Sequence, residues 1–369
     1  MLAVSCRNED NAEEPGLTFN TNPVPASASS YSQHITVSAD KPWTIVLSYH
    51  GEQKDWASVS PESGNPENGD VRLTWSANLS EESRTATITV AAGGRQASFD
   101  FVQAGKGAAP LWLELPEVVR DETHEMFHHP MTVGGKKTRN YTFNWDYSNR
   151  VSNWVAYPMN KNLIGSYFGR SDAWGFDPLL PNDRQSDVST AYRRGNAGSY
   201  ARGHQIASAD RQGDRERNAA TFYGTNMTPQ DFDFNSGLWA NLEGTVRRWA
   251  EKSDTLYVIT GCVPEGSSKY VLDASRNTVT VPKAYFKAVL RYKKSSTIGF
   301  SDYAGLAVWF DHDEHAGDTS SFTSDMSMSI SELEELLGYR LFASLDAAVG
   351  AGTAQKIKSQ DPRKVSWWW

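Results

Sequence analysis

The sequence predicts two domains of different class: a small all-β sandwich over residues 31–105 and an α+β domain over residues 111–369. Three observations predict this. The chain has 369 residues, and at roughly 100–200 residues per domain that length calls for two or three domains. Between Ile35 and Gln103 short segments with period-two alternation recur between turn residues, the pattern of an antiparallel sandwich. From Leu111 onward aromatic residues become denser and strand-like runs alternate with helical periodicity, which indicates a separate α+β unit.

Composition narrows the class. With 39% hydrophobic and 12% aromatic residues the chain is neither disordered nor fibrous. No run approaches the roughly 18 apolar residues that a membrane-crossing helix needs. Two cysteines, Cys6 and Cys262, are too few for a disulfide framework. The net charge of −8 argues against a polyanionic partner only weakly, because it is unevenly placed. Residues 1–107 hold 13 acids and 7 bases, whereas the rest is nearly balanced. Within that remainder Arg193, Arg194, Arg202, Arg211, Arg215 and Arg217 crowd one stretch, and local potential governs phosphate binding.

Residues 1–30 are expected to be an N-terminus and linker. Met1-Leu-Ala-Val-Ser-Cys6 looks like the tail of a lipoprotein signal, which would put a lipid on Cys6 and place the protein at the outer membrane or cell surface, or in the periplasm or medium. The stub is shorter than the about 7–15 apolar residues of a signal core. Either the start lies upstream or this is an ordinary terminus. Residues 15–30, rich in Pro, Ala, Ser, Thr and Asn, read as linker.

In the sandwich, strands are expected at Trp43–Ser48, Val71–Trp75, Thr85–Val90 and Ala97–Val102. The Trp-x-Ile strand at Trp43, the Trp56-Ala-Ser-Val-Ser-Pro61 turn, the Arg84-Thr-Ala-Thr-Ile-Thr-Val90 strand and the closing Gln103-Ala-Gly105 resemble the BACON domain, an immunoglobulin-like module of bacterial surface proteins. The resemblance implies either a spacer or a carbohydrate-binding module. Trp43, Trp56 and Trp75 are then sugar-stacking platforms or, as a small sandwich more often demands, core.

The chemistry-bearing stretch of the second domain starts at Ala201-Arg-Gly-His204. Gly203 would allow the backbone close to a bulky anion. Next come Asn226-Met-Thr-Pro-Gln230 and Asn235-Ser-Gly-Leu-Trp-Ala-Asn-Leu-Glu243. The last reads as a helix start with Asn235 or Ser236 as N-cap, and Trp239, Leu242, Val246 and Trp249 on one apolar face. Glu243 and Arg247, four residues apart, flank that face. Phosphodiester hydrolysis needs a base, charge compensation at the phosphoryl oxygens and a proton for the leaving oxygen. Histidine titrates near neutrality, Mg²⁺ takes oxygen ligands such as an Asn carbonyl, and arginines grip phosphate.

These three motifs, in order and with their internal spacing, resemble the DNA/RNA non-specific endonucleases, over roughly residues 120–345. Weaker matches are Asn153-Trp-Val-Ala-Tyr157, Val258-Ile-Thr-Gly261 and Val281-Pro-Lys-Ala-Tyr-Phe-Lys287. The resemblance implies a ββα-metal fold with a central antiparallel sheet and a metal-dependent endonuclease acting on DNA and RNA, with 5′-phosphate products. It implies His204 as general base, Asn235 as the direct ligand of Mg²⁺ (or Mn²⁺), and Glu243 as its partner through a water. It further implies Asn226 as an organiser of the site, and Arg202, Arg247 and Arg170 as phosphate contacts. The Asp that usually precedes Arg-Gly-His is Ala201 here, which puts site support or rate in question. The alternative is a surface glycan-binding protein whose rear domain is an inactive or differently specific phosphodiesterase.

Other features have plainer expectations. Asp311-His-Asp-Glu-His315 fits no metal-ligand spacing and reads as a solvated loop after a strand at Leu306–Phe310. His128-His129-Pro130 reads as a turn. Ser329 and Glu332 form a capping box, and Cys262 follows a strand at Leu256–Thr260 as a buried thiol. Trp367-Trp368-Trp369 either docks on the domain or meets a membrane interface.

Overall fold

The computed structural model describes residues 17–19, 31–80, 82–103, 105, 112–117, 123–133, 136–294 and 302–368. Cys6, Trp369 and most of the expected linker lie outside them; within that linker Thr18–Phe19 form a short strand paired with Tyr31–Ser38. The chain divides into two compact units, Met1–Gly105 and Lys106–Trp369.

In the first unit, alternation along each strand buries every second residue, as in Trp43, Ile45 and in Val71, Leu73, Trp75. Two antiparallel sheets result. One orders Thr18–Phe19, Tyr31–Ser38, Asp70–Trp75 and Ala57–Ser60; the other orders Ser63–Gly64, Trp43–Tyr49, Arg84–Ala92 and Arg95–Gln103. Trp43, Trp56 and Trp75 are buried in the core. Trp56 and Trp75 close around Phe101, with ring centroids 5.6 and 4.8 Å away, so they are no stacking surface for sugars.

The second unit is built on a seven-stranded antiparallel sheet. Its order is Ser327–Met328, Tyr303–Asp311, Ala284–Tyr292, Thr255–Val263, Val151–Met159, Lys136–Asp146 and His124–Val133. The two central strands are apolar on both faces because both are covered. On one face Tyr141, Phe143, Trp145, Val155 and Tyr157 pack with Ile206, Met227, Phe234, Leu238, Trp239, Leu242 and Val246 into one core. That core seats a two-stranded hairpin and a long helix beside the sheet, and these carry the candidate site.

Two local expectations change here. His128-His129-Pro130 is no turn: it lies within the strand His124–Val133. That strand is the sheet's edge, where a residue without an N–H costs no ladder bond, and its register with Lys136–Asp146 slips beside it, between Arg139 and Tyr141. His129 is buried against Asp177, Nε2 to Oδ2 2.8 Å. At the other end of the unit, Ser329 and Glu332 do form the capping box of the helix Ile330–Leu337, which stops at Gly338 in the left-handed region. Trp367 and Trp368 dock on the unit. Trp249 Nε1 donates to the Trp368 carbonyl at 2.8 Å, and the Arg291 guanidinium lies 4.3 Å from the Trp367 ring.

Candidate active site

The strand Ala201–His204 pairs antiparallel with Met227–Gln230, placing His204 opposite Met227. Gly203 serves this hairpin rather than an anion: a Cβ there would collide with the side chain of Gln230. Asn226 locks the hairpin's root. Its Oδ1 accepts from the Ile206 N–H at 2.9 Å, and its Nδ2 donates to the carbonyls of Ile206 (3.0 Å) and Thr221 (2.7 Å). Fully buried and fully bonded, Asn226 fixes the backbone just after His204 and has no group left for substrate.

His204 projects from this rigid base into a wall of rings. Phe222 and Trp174 meet it edge-on, with centroids 5.0 and 5.6 Å away. Burial, and then the positive charges of Arg170 and Arg202, hold its pKa down at about 3. The imidazole is therefore neutral at physiological pH. One ring nitrogen bonds the Arg202 backbone carbonyl, and Nε2 has no hydrogen-bond partner. That leaves Nδ1–H as the donor and Nε2 as an open acceptor, the form a general base needs.

The arginines separate into structural and available groups. Arg211, from the basic stretch, is wholly buried and donates to Asn140 Oδ1 and to the carbonyls of Asn140, Pro158 and Asp210, so it contributes no phosphate contact. Arg202 donates to the Val188 carbonyl at 2.7 Å and lies 3.6 Å over Trp174. Arg170 sits 4.7 Å over Phe222 and pairs with Asp172 at 2.7 Å, both half-exposed, so solvent keeps that pair weak and exchangeable. Arg247 does not pair with Glu243 one turn back. It reaches Asp210 Oδ1 at 3.0 Å, with Asp210 buried and also accepting from the Tyr157 hydroxyl.

The helix begins one turn earlier than expected. Asp231, not Asn235 or Ser236, is the N-cap, accepting from the N–H groups of Asp233 and Phe234. The helix then runs through Phe232–Phe234, a π turn at Asn235–Trp239 and Ala240–Glu251. The π turn has a visible cause: the Leu238 N–H donates to the Asp318 carbonyl at 3.2 Å, from a loop that Gly237 admits by having no side chain. One residue inserted this way makes positions eight apart behave like a heptad. Asn235 and Glu243 consequently fall within about 20° of one face. With Asp231 as the N-cap, the Asn235 side chain does not cap this helix.

The segment Asp311–His315 is what holds this helix start. His312 is buried: Nδ1–H donates to the Pro282 carbonyl at 2.9 Å and Nε2 accepts from the Asp231 N–H at 2.9 Å. The Gly317 N–H donates to Asp231 Oδ1 at 2.9 Å, and His315 contacts Asp318 at 2.8 Å. The expected solvated loop is thus a clamp across the helix N-terminus.

Glu243 is pushed well above the ordinary carboxylate range by burial, against the pull of Lys287 and with the help of Asp210. Lys287 is buried, bonded to Thr260 and 5.0 Å over the Trp239 ring, and burial lowers its pKa. The Arg170 charge is felt at both His204 and Glu243, lowering the pKa of each. Lys287, Asp210, Trp174 and Phe222 were not singled out by the sequence; Lys287 ended a motif whose role spacing alone does not reveal. A separate group, His124, Asp146 and Glu265, brings ligand atoms within 4.8 Å of one another at the end of the sheet. There the Asn153 amide bonds His124 at 3.0 Å and Glu265 at 3.2 Å.

The family model described as DNA/RNA non-specific endonuclease matches residues 122–348, and that described as viral BACON domain matches residues 20–106. A nuclease of Nostoc sp. is 32% identical over 221 residues, covering 59% of this chain and 76% of that protein. Human mitochondrial nuclease EXOG is 26% identical over 272 residues, covering 70% and 71%. A solved structure of the EndoG/EndoGI complex covers 59% of this chain and 87% of its own, with 20% identity and a TM-score of 0.45. The family match, over more than half of the chain, and the nucleases among its relatives define the class as a hydrolytic nuclease. This chain belongs to the DNA/RNA non-specific endonuclease family, with a BACON-like domain in front.

Proposed function

We propose that the chain is a metal-dependent, sequence-non-specific endonuclease that hydrolyses phosphodiester bonds of DNA and RNA. One observation supports the reading most: the neutral His204 keeps an unpartnered Nε2, and the Arg170 charge felt there is also felt at Glu243, which shares a helix face with Asn235. The residues fit a hard divalent cation, Mg²⁺ or Mn²⁺, because the free donor is an amide oxygen and the nearby acid is a carboxylate. Bound there, the cation would compensate charge developing on the phosphoryl oxygens. His204 takes the proton of the attacking water at Nε2, and the Arg202 carbonyl at its other nitrogen steadies the imidazolium that forms. The P–O3′ bond breaks, and the leaving 3′ oxygen takes a proton from solvent water. Asn226 keeps the ring's backbone in place. Arg170 and Arg202 hold the phosphate, and Arg247 holds Asp210 beside Glu243. None of these groups reads a base edge, so cleavage has little sequence preference.

The front domain is a spacer in this reading, its tryptophans being core. Export with a lipid on Cys6 belongs to the same proposal; palmitate labelling that persists in Cys6→Ala would remove it. The test of function is digestion of supercoiled plasmid, single-stranded DNA and RNA under Mg²⁺, with and without chelator. All three should be cut to 5′-phosphate ends, chelation should stop cleavage, and His204→Ala should cut far more slowly. Cleavage indifferent to chelator would refute the metal's role.

A further inference from the structure

The loop before Arg170 presents two aromatic rings to solvent. Tyr167 is 85% exposed and Phe168 46%. Among the described residues of this unit the other exposed large apolar side chains, Val133, Phe232 and Leu336, stand singly. Tyr167 and Phe168 stand together, and they precede by three and two residues an arginine that faces the catalytic space.

The loop that carries them is pinned rather than slack. Gly165, at φ +57°, packs its backbone against Gly213 so closely that no Cβ fits between them. The Phe168 N–H donates to the Gln212 carbonyl at 3.0 Å, and the Ser171 N–H to Asn218 Oδ1 at 2.9 Å. Fixed on both sides, the Tyr167 ring projects with only two side-chain torsions to order, which makes it a low-cost platform. Arg170 in turn lies 4.7 Å over Phe222, whose ring is 5.0 Å from that of His204.

A cation for phosphate beside solvent-facing rings is the chemistry that engages unpaired nucleotides, since every base has a face to stack and duplex bases do not expose theirs. Three residues span at most about 10 Å, so a base stacked on Tyr167 belongs to a nucleotide next to the one whose phosphate Arg170 grips. We infer that Tyr167 and Phe168 form a base-stacking lip that captures an unpaired nucleotide flanking the scissile phosphate, biasing the enzyme toward single-stranded DNA and RNA. The inference rests on the nuclease reading above and names its substrate form.

The test compares wild type, the double variant Tyr167→Ala/Phe168→Ala and the conservative Tyr167→Trp. Binding is read by fluorescence anisotropy of a labelled 12-mer and of a duplex of the same sequence, in EDTA to prevent cleavage. Turnover is then read on both under Mg²⁺. Base–aromatic stacking predicts about a tenfold loss per ring in single-strand affinity. The single-strand to duplex ratio of kcat/KM should fall about as much, through KM rather than kcat, and Tyr167→Trp should keep the ratio. An unchanged ratio, or an equal loss on both substrates, overturns the lip. Absence of Mg²⁺-dependent cleavage by wild type would instead overturn the nuclease reading itself.

Discussion

At the scale of single residues the site depends on how two protons are placed. His204 is neutral because burial and two guanidinium groups disfavour its cation, and its Nε2 has no hydrogen-bond partner. Removing it as His204→Ala should lower kcat by about 10²–10⁴-fold, the usual worth of a general base, with thermal stability kept. Glu243 has the opposite bias: burial raises its pKa, so acid protonates it early. A raised pKa means the carboxylate is present only above that value. Activity should therefore fall as pH drops, at a pH above the ordinary carboxylate range. Lys287 lowers the Glu243 pKa, so Lys287→Met should move this acid limb to higher pH. A kcat/KM profile against pH checks both sign and residue; a limb that stays put assigns it elsewhere. His204, Asn226 and the hairpin were legible because their contacts lie within about thirty residues of one another. The freedom of Asn235 was not. Asp231, Asn235 and Ser236 are all good capping types, and what selects Asp231 is a backbone bond from Gly317 and a ring from His312, both about eighty residues downstream.

At the scale of elements the same distance effect hides the π turn. Its sequence, Asn235-Ser-Gly-Leu-Trp239, has ordinary helical periodicity; the extra residue is accommodated because Asp318 supplies an acceptor from outside the helix. Gly237→Ala should test this. The new Cβ would lie 2.6 Å from the Asp318 carbonyl oxygen, so the loop must retreat or the turn must relax to α. Either change swings Asn235 away from the Glu243 face. The half-saturating Mg²⁺ concentration should rise about 10–100-fold, as when the outer support of a metal ligand is lost. The fluorescence of Trp239, at the turn's end, should change with it. An unaltered metal requirement would show that the π turn does not position Asn235. The strands were far more legible: the segments from Trp43, Asp70, Arg84, Arg95, Thr255 and Tyr303 follow local alternation or apolar runs that no distant contact overrides. His128-His129-Pro130 failed the other way, since an edge strand tolerates the proline that suggested a turn.

At the scale of the whole molecule the two units have separate cores and separate chemistry. Calorimetry should show two transitions, and saturating Mn²⁺ should move only that of the nuclease unit. At a metal concentration of about 100 Kd the gain is about 2.7 kcal/mol, a shift of roughly 5–10 °C for a unit of this size. Residues 106–369 alone should retain kcat. Because residues 1–107 carry an acidic excess, their removal should raise association with nucleic acid modestly at low salt and not at high salt. The central claim is that one divalent cation sits between the amide of Asn235 and the imidazole of His204. The most direct measurement is anomalous diffraction from crystals of the full chain soaked in Mn²⁺. The account predicts a peak bound to Asn235 Oδ1, on the side facing the His204 ring, and its loss in Asn235→Ala. A peak at His124, Asp146 and Glu265 with none at Asn235 would contradict it.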